Sequence, residues 1–185
     1  DALLGRHTPE GTLQLDEVRI SEGELRDVDR IVVIGCGTAH YAGLVAKYAI
    51  EHWTRIPCEV ELAHEFRYRD PILTRNTLVV AISQSGETAD TLMAIRYARQ
   101  QRAKVLAICN TNGSSFHGAS AAVIYTHAGP EIAVASTKGL ITQLIACYVL
   151  GLYLAQVRGT LYGDEIANTI SALGQMPAKV QAVLD

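Results

Sequence analysis

Five short apolar runs, rich in β-branched residues, recur along the chain and alternate with segments of helical spacing. Four of them are largely continuous, namely RIVVIG (30–35), TLVVAIS (77–83), KVLAICN (104–110) and AAVIYTHA (121–128), whereas CEVELA (58–63) alternates apolar with charged residues. Runs of this kind, bounded by glycine, proline or polar turns, are typical of buried parallel strands, which need helical crossovers between them. The pattern therefore predicts an α/β fold, a three-layer αβα sandwich with a five-stranded parallel sheet.

The segments between the runs carry apolar residues at helical spacing. Long helices are predicted at 38–53, 89–102 and about 135–158, and a single amphipathic helix at about 163–184. Shorter helical turns are predicted within DEVRISEGELRDV, HEFRYRDP and SSFHGAS. We interpret the chain as one domain, with a lead-in over 1–28, an α/β core over 29–158 and a C-terminal helix over 159–185.

Composition narrows the classes of protein without identifying one. The 185 residues are 49% apolar and 19% charged, with a net charge of −3, which is typical of a globular domain. Because charges of both signs are scattered and aromatic residues are few, we expect no nucleic-acid partner. The most apolar segment, 140–155, is interrupted by Thr142 and Gln143, so we expect a buried helix there and no membrane span.

The four cysteines lie far apart, with no CxxC pair among them. We interpret them as reduced residues packed in a core, as expected in the cytoplasm, and we predict no metal and no organic cofactor. The first residues, DALLGRHTPEG, show no signal-peptide pattern.

The segment SQSGET (83–88) places hydroxyl and amide side chains where a buried strand is expected to become a helix. In an open parallel sheet, ligands bind beyond the carboxyl ends of the strands. The first helical turn offers backbone N–H groups and the positive end of the helix dipole, which together attract anions. Ser83, Gln84, Ser85 and Thr88 add donors, whereas the segment contains no Lys, Arg or His. It therefore predicts an anion site in which dipoles replace cations.

A helix cap is the simpler explanation for a single hydroxyl at such a junction. Three hydroxyls, a glutamine and a glycine within six residues exceed what a cap requires. Similar residues follow other strands, in GCGTAHYAG (35–43), CNTNGSS (109–115) and AGPEIAVASTKG (128–139). The first of these is not a dinucleotide-binding fingerprint, because His40 stands where the third glycine is required. Together these loops could line a single pocket.

The motifs GCGT, EFRYRDP, SQSGETADT, CNTNGSS and EIAVASTK together resemble the sugar isomerase (SIS) domain, which has a flavodoxin-like fold. The resemblance covers about residues 3–184 and is closest to the first of the two SIS domains of the glucosamine-6-phosphate synthase family. The residues that it implies for binding a sugar phosphate are Thr38, Ser83, Gln84, Ser85, Thr88, Val134 and Ser136. One departure is Ala39, where the family often has serine, so a hydroxyl contact is lost.

The resemblance also implies an activity, because that family makes glucosamine 6-phosphate and glutamate from fructose 6-phosphate and glutamine. The implied partners are a second SIS domain, a glutaminase domain and a second copy in a homodimer. In the family, the isomerisation base and the imine-forming lysine lie outside the matched segment. We therefore expect this chain to be a piece that binds fructose 6-phosphate or glucosamine 6-phosphate without catalysis. A free-standing phosphosugar isomerase and a non-catalytic sugar-phosphate sensor domain remain alternatives.

An isomerase would need a general base whose pKa lies near neutral pH. Glu87 is expected to cap the helix that follows it, and Glu131 to stabilise its loop or to contact the ligand. His40 and His127 are expected to be packed or at the surface, and Lys138 to be solvated. We therefore predict no catalytic residue within this chain.

Overall fold

The computed structural model describes residues 11–185, so the first ten residues of the predicted lead-in lie outside the described part. The strands are β1 (Arg30–Gly35), β2 (Cys58–Leu62), β3 (Thr77–Ser83), β4 (Lys104–Cys109) and β5 (Ala122–Tyr125). They form one sheet in the order β2-β1-β3-β4-β5, and all neighbouring pairs are parallel. The predicted five-stranded parallel sheet is confirmed, and its strand order is that of flavodoxin-like folds.

Helices follow every strand, as parallel pairing requires. They are α1 (Glu22–Arg26), α2 (Thr38–Thr54), α3 (Ala63–Tyr68), α4 (Ala89–Gln100), α5 (Ser115–Ala119), α6 (Lys138–Arg158), α7 (Gly163–Gly174) and α8 (Met176–Leu184). Local sequence sets several of their ends. Ser21 and Glu24 form a capping box at α1, and Gly159 ends α6 in the left-handed conformation.

The side chains of the strands alternate between two hydrophobic cores, one on each face of the sheet. On one face, Ile31 and Val33 belong to a core that includes buried residues of α1, α2, α6 and α7. On the other face, Val32 and Ile34 belong to a core that includes Phe66 of α3 and buried residues of α4 and α5. Helices thus cover both faces, which gives the predicted three-layer sandwich.

Two predicted elements differ from the structure. The fifth strand ends at Tyr125 and does not reach 128, because His127 has a positive φ of 52°. The single helix predicted at 163–184 is two helices, α7 and α8, which meet at Gln175. The break coincides with Pro177 in the first turn of α8, where a missing N–H donor is tolerated.

Helix α6 combines great length with an almost wholly apolar sequence. Within residues 11–185 it is the one helix long and apolar enough to cross a membrane, by length and composition alone. Most of it is buried, with residues such as Leu150 and Leu154 fully enclosed in the core next to α2. The structure therefore places α6 where the sequence predicted a buried helix.

Candidate functional site

A cleft of about 140 Å³ opens at the carboxyl edge of the sheet. Its walls come from the loop after β1, the junction between β3 and α4, the loop before α6, and α6 itself. All the residues predicted to bind a sugar phosphate line this cleft, namely Thr38, Ser83, Gln84, Ser85, Thr88, Val134 and Ser136. Three stretches that are distant in sequence, 36–39, 82–88 and 131–143, thus meet at one point, as the carboxyl ends of parallel strands allow.

The junction between β3 and α4 is held in shape by its own hydroxyl groups. Gly86 has a φ of 67°, and its N–H donates to Ser83 Oγ over 3.1 Å. Ser83 Oγ also lies 3.0 Å from Thr88 Oγ1, while the N–H of Glu87 donates to Ser85 Oγ over 3.2 Å. Thr88 is the N-cap residue of α4, yet its side chain forms no capping hydrogen bond. The helix-cap explanation is therefore wrong for these hydroxyls, and the first turn of α4 keeps its N–H groups for another acceptor.

The loop after β4 packs against this junction. It does not line the cleft, although its motif CNTNGSS (109–115) suggested that it could. The N–H of Asn110 donates to Gln84 O over 3.0 Å, and that of Phe116 to Gly86 O over 3.3 Å. A Cβ atom on Gly86 would lie only 2.2 Å from Ser114 Oγ. The loop therefore fixes the height of the SQSGET backbone above the sheet.

Glu87 caps a helix, but not the one that was predicted. Its carboxylate accepts hydrogen bonds from the N–H and the Oγ of Ser115, each at 2.7 Å, at the start of α5. The bond from the Ser115 hydroxyl, followed by that from its N–H, lowers the pKa of Glu87 below its ordinary value. Because Glu87 precedes the N-cap of α4, its side chain turns toward the neighbouring loop. Glu87 is absent from the cleft wall that the structure describes.

Glu131 organises the loop that carries Val134 and Ser136. Its Oε2 accepts hydrogen bonds from the N–H groups of Thr137 and Gly139, at 3.1 and 3.0 Å, and from Ser136 Oγ at 3.3 Å. The Gly139 N–H is the main reason why the pKa of Glu131 is lowered. Glu131 thus caps α6, since the N-cap Thr137 forms no side-chain cap. The predicted loop-stabilising role is confirmed, and a lowered pKa makes this carboxylate a weaker base.

The remaining predicted residues occupy contrasting positions. Thr38 begins α2 directly after Gly37, and the neighbouring Ala39 is buried in the cleft wall. His127 and Lys138 are exposed and lie outside the cleft wall. The ring of His40 packs edge-on against Tyr41, and its Nδ1 is buried without a hydrogen-bond partner among the described residues.

Gln143, on α6, is a cleft residue that the sequence did not indicate. Its side chain is 2% exposed, and its Oε1 has no hydrogen-bond donor within residues 11–185. In the sequence Gln143 served only as a polar interruption of an apolar helix. The signal that could have identified it is the same interruption, because a buried amide in a core helix requires a partner.

The cleft wall contains no Lys, Arg or His among the residues that the structure describes. Next to it, Cys36, His64 and Asp90 offer ligand atoms within 4.8 Å of one another, an arrangement that could hold a divalent cation. Neutral donors, by contrast, line the cleft itself, and hydrogen bonds from neutral donors to a charged acceptor are among the stronger ones in proteins. The donors that line the cleft can therefore hold an anion without a cationic side chain.

The doubly wound sheet and the cleft beside the N-terminus of α4 define an open α/β ligand-binding domain. A model of the SIS domain family matches residues 24–153. The chain therefore belongs to the SIS domain family, as its motifs predicted.

Named relatives and a solved structure give a closer match. The chain is 68% identical over 184 residues to the glutamine–fructose-6-phosphate aminotransferase (isomerizing) of Streptomyces coelicolor, covering all of this chain and 30% of that protein. The Mycobacterium tuberculosis protein of the same name is 61% identical over 184 residues, with 29% of it covered. The C-terminal domain of glucosamine-fructose-6-phosphate aminotransferase from Francisella tularensis superposes with a TM-score of 0.89 at 37% identity, over 99% of this chain and 51% of that one.

A more distant structure shares the fold alone. A putative phosphosugar isomerase from Clostridium difficile superposes with a TM-score of 0.76 at 22% identity, over 88% of this chain and 46% of that one. The predicted similarity to the glucosamine-6-phosphate synthase family is confirmed. The chain spans about 30% of the length of the curated relatives that it matches.

Proposed function

We propose that the cleft binds the phosphate and sugar of fructose 6-phosphate or glucosamine 6-phosphate. In this proposal the chain is a SIS domain of a glutamine–fructose-6-phosphate aminotransferase. The whole protein converts fructose 6-phosphate and glutamine into glucosamine 6-phosphate and glutamate. The observation that carries the proposal is the convergence of three strand-end segments, those after β1, β3 and β5, on one cleft that is rich in neutral donors.

The position of the phosphate follows from the N-terminus of α4. The side chain of the N-cap Thr88 does not cap this helix, and the hydroxyl groups of Ser83, Ser85 and Thr88 lie around its first turn. Backbone N–H groups and the helix dipole favour a negatively charged group at this point. The sugar then extends toward Thr38 and the loop of Val134 and Ser136, which line the rest of the cleft.

Calorimetry with fructose 6-phosphate and glucosamine 6-phosphate tests the proposed ligand. Ser85→Ala and Thr88→Ala each remove one donor to a charged acceptor, worth about 1.5–3 kcal/mol, so each is expected to weaken binding about ten-fold or more. Ser120→Ala is the matched control, because it deletes a hydroxyl outside the cleft wall. Unchanged affinity in both cleft variants would remove SQSGET from the site.

Catalysis is proposed to require more than this chain. Glu131 faces the cleft, but its hydrogen bonds to the start of α6 lower its pKa, which is unfavourable for proton abstraction near neutral pH. Lys138 and His127 lie outside the cleft wall. These observations support a domain that binds its ligand without isomerising it, and they speak against a free-standing isomerase built on Glu131.

We also propose that the domain pairs with a second SIS domain, either in a longer chain or in a homodimer. Most of helix α6 is buried in the core, which leaves little of its apolar surface for a partner. Helix α2 instead exposes Tyr41, Leu44, Val45 and Tyr48 on one face, at the spacing of a helical stripe. A stripe of this kind fits another apolar protein surface. Val45→Glu should reduce the mass measured by light scattering if this stripe forms the contact, and an unchanged mass would exclude it.

The cysteines support a reducing compartment, and on that ground we propose a cytoplasmic location. All four are free thiols, and three of them are buried. Isolating the full-length protein from cell fractions tests this location directly.

A further inference from the structure

Gln143 occupies a position in α6 where an apolar side chain would be expected. Its neighbours on the helix, including Ala146 and Cys147, are buried in the hydrophobic core. The Gln143 side chain is itself 2% exposed, and Oε1, as the amide is oriented here, lacks a hydrogen-bond donor within residues 11–185. An acceptor that is buried without a donor is less favourable than an apolar side chain of the same size.

The face of α6 that bears Gln143 is directed at the SQSGET junction. Gly139 lies one helical turn earlier on the same face, since residues four apart are neighbours on a helix. A Cβ atom at Gly139 would lie 3.5 Å from Cγ of Gln84. Gln143 itself forms part of the cleft wall. Oε1 itself is enclosed here, so it reaches a molecule that fills the cleft once the amide turns about its terminal bond, a torsion with broad freedom.

The two walls of the cleft differ in hydrogen-bonding character. The wall at Ser83, Ser85 and Thr88 offers donors, which suit a phosphate. Gln143 offers an acceptor without a donor among the described residues, whereas the Glu131 carboxylate, also in the cleft wall, is already engaged by the start of α6. A phosphate dianion has no proton to donate, whereas the hydroxyl groups of a sugar do.

We propose that Gln143 accepts a hydrogen bond from a hydroxyl group of the ligand's sugar and is a specificity-determining residue of the cleft. The proposal rests on the function proposed above, and it adds how the cleft separates a phosphorylated sugar from a bare phosphate. The donor wall binds both molecules, and Gln143 adds a hydrogen bond only to the molecule that carries hydroxyl groups.

Gln143→Met tests this role, because methionine has a similar length and no strong acceptor. Affinities for fructose 6-phosphate and for inorganic phosphate are measured by calorimetry or by competition. The variant should bind the sugar phosphate about three- to ten-fold more weakly, and bind inorganic phosphate as well as the unaltered protein does. Its melting temperature should be unchanged or higher, because an unpaired buried acceptor has been removed.

The controls separate the proposed role of Gln143 from the proposed function of the cleft. Ser85→Ala should weaken the binding of both fructose 6-phosphate and inorganic phosphate, in contrast to Gln143→Met. An unaltered protein that binds neither ligand would overturn the proposed function, and the role of Gln143 with it. Unchanged affinity of Gln143→Met for the sugar phosphate would overturn the role of Gln143 and leave the proposed function standing. The same holds if the variant has a lower melting temperature and loses equal affinity for both ligands.

A ligand series gives a test that needs no variant. Hexose 6-phosphates that each lack one hydroxyl group are titrated into the unaltered protein. One of them should lose a similar three- to ten-fold in affinity, and this loss should vanish in Gln143→Met, because the two groups act as a coupled pair. Equal affinities across the whole series would overturn the proposal even if the variant does not fold.

Discussion

An alanine at Gly86 would meet two obstacles, one from its own backbone and one from Ser114. The φ of Gly86 is 67°, a left-handed conformation that L side chains rarely adopt. A Cβ atom there would also lie 2.2 Å from Oγ and 2.6 Å from Cβ of Ser114, which is buried. Both obstacles act on the segment that shapes the donor wall of the cleft.

The loss of stability expected from Gly86→Ala can be divided between the backbone conformation and the contact with Ser114. The left-handed backbone costs an alanine about 1–2 kcal/mol. Forcing extra volume against the packed Ser114 adds about 1–3 kcal/mol. Gly86→Ala should therefore lower the free energy of unfolding by about 2–5 kcal/mol, a large share of the roughly 5–15 kcal/mol of a typical domain. Gly113 is the matched control, because its φ is 71° and nothing lies within 4 Å of an added Cβ.

Urea denaturation followed by circular dichroism measures both variants. Gly113→Ala should show only the backbone term, so the two variants should differ by about 1–3 kcal/mol. Adding Ser114→Gly to Gly86→Ala should recover the steric term and leave the backbone term, with Ser114→Gly alone as the reference. Equal destabilisation by Gly86→Ala and Gly113→Ala would refute the packing explanation.

Further predictions concern protons and thiols. Because the folded pKa of Glu131 is lowered, its carboxylate stabilises the fold above the ordinary value of 4.5, and this stabilisation is lost as pH falls through the folded pKa. Glu131→Gln should therefore be less stable than the unaltered protein near neutral pH and equal to it in strong acid, as denaturation across pH will show. Deuterium exchange into C1 or C2 of fructose 6-phosphate, followed by NMR, should not occur with this chain, and exchange abolished by Glu131→Gln would instead establish an isomerase. Burial raises the pKa of Cys58 and Cys147 to about 12, so these thiols should react slowly with iodoacetamide. Mass spectrometry should therefore find the label on Cys36 first. Bound ligand should slow the labelling of Cys36, because this residue lines the cleft.

The sheet and the donor wall could be predicted from sequence because local pattern determines both. Four of the strands are largely continuous apolar runs, the signature of buried parallel strands, whereas β2, at one edge of the sheet, alternates apolar residues with Glu59 and Glu61. The SQSGET segment follows such a run directly, so its place at the carboxyl edge follows from chain order. The motifs of the other loops then indicated which residues share the cleft.

Features that depend on tertiary partners could not be predicted in the same way. Glu87 binds Ser115 and not its own helix, because the loop after β4 packs behind the junction. Gln143 interrupts an apolar helix, which marks it as an amide that needs a partner, but the local sequence does not show that the cleft is where it lies. The break between α7 and α8 was missed because the apolar spacing continues across Pro177.

The cation-free wall of the cleft has a consequence for how fast a ligand arrives. A cleft lined with fixed positive charge draws an anion in from a distance and accelerates the encounter, and salt weakens that attraction. Here the net charge is −3, and hydrogen-bond donors act only at contact. The association rate of a phosphorylated sugar should therefore be set by undirected diffusion and change little with ionic strength. Differences in affinity among ligands would then reside in their dissociation rates, and thus in how long each remains bound.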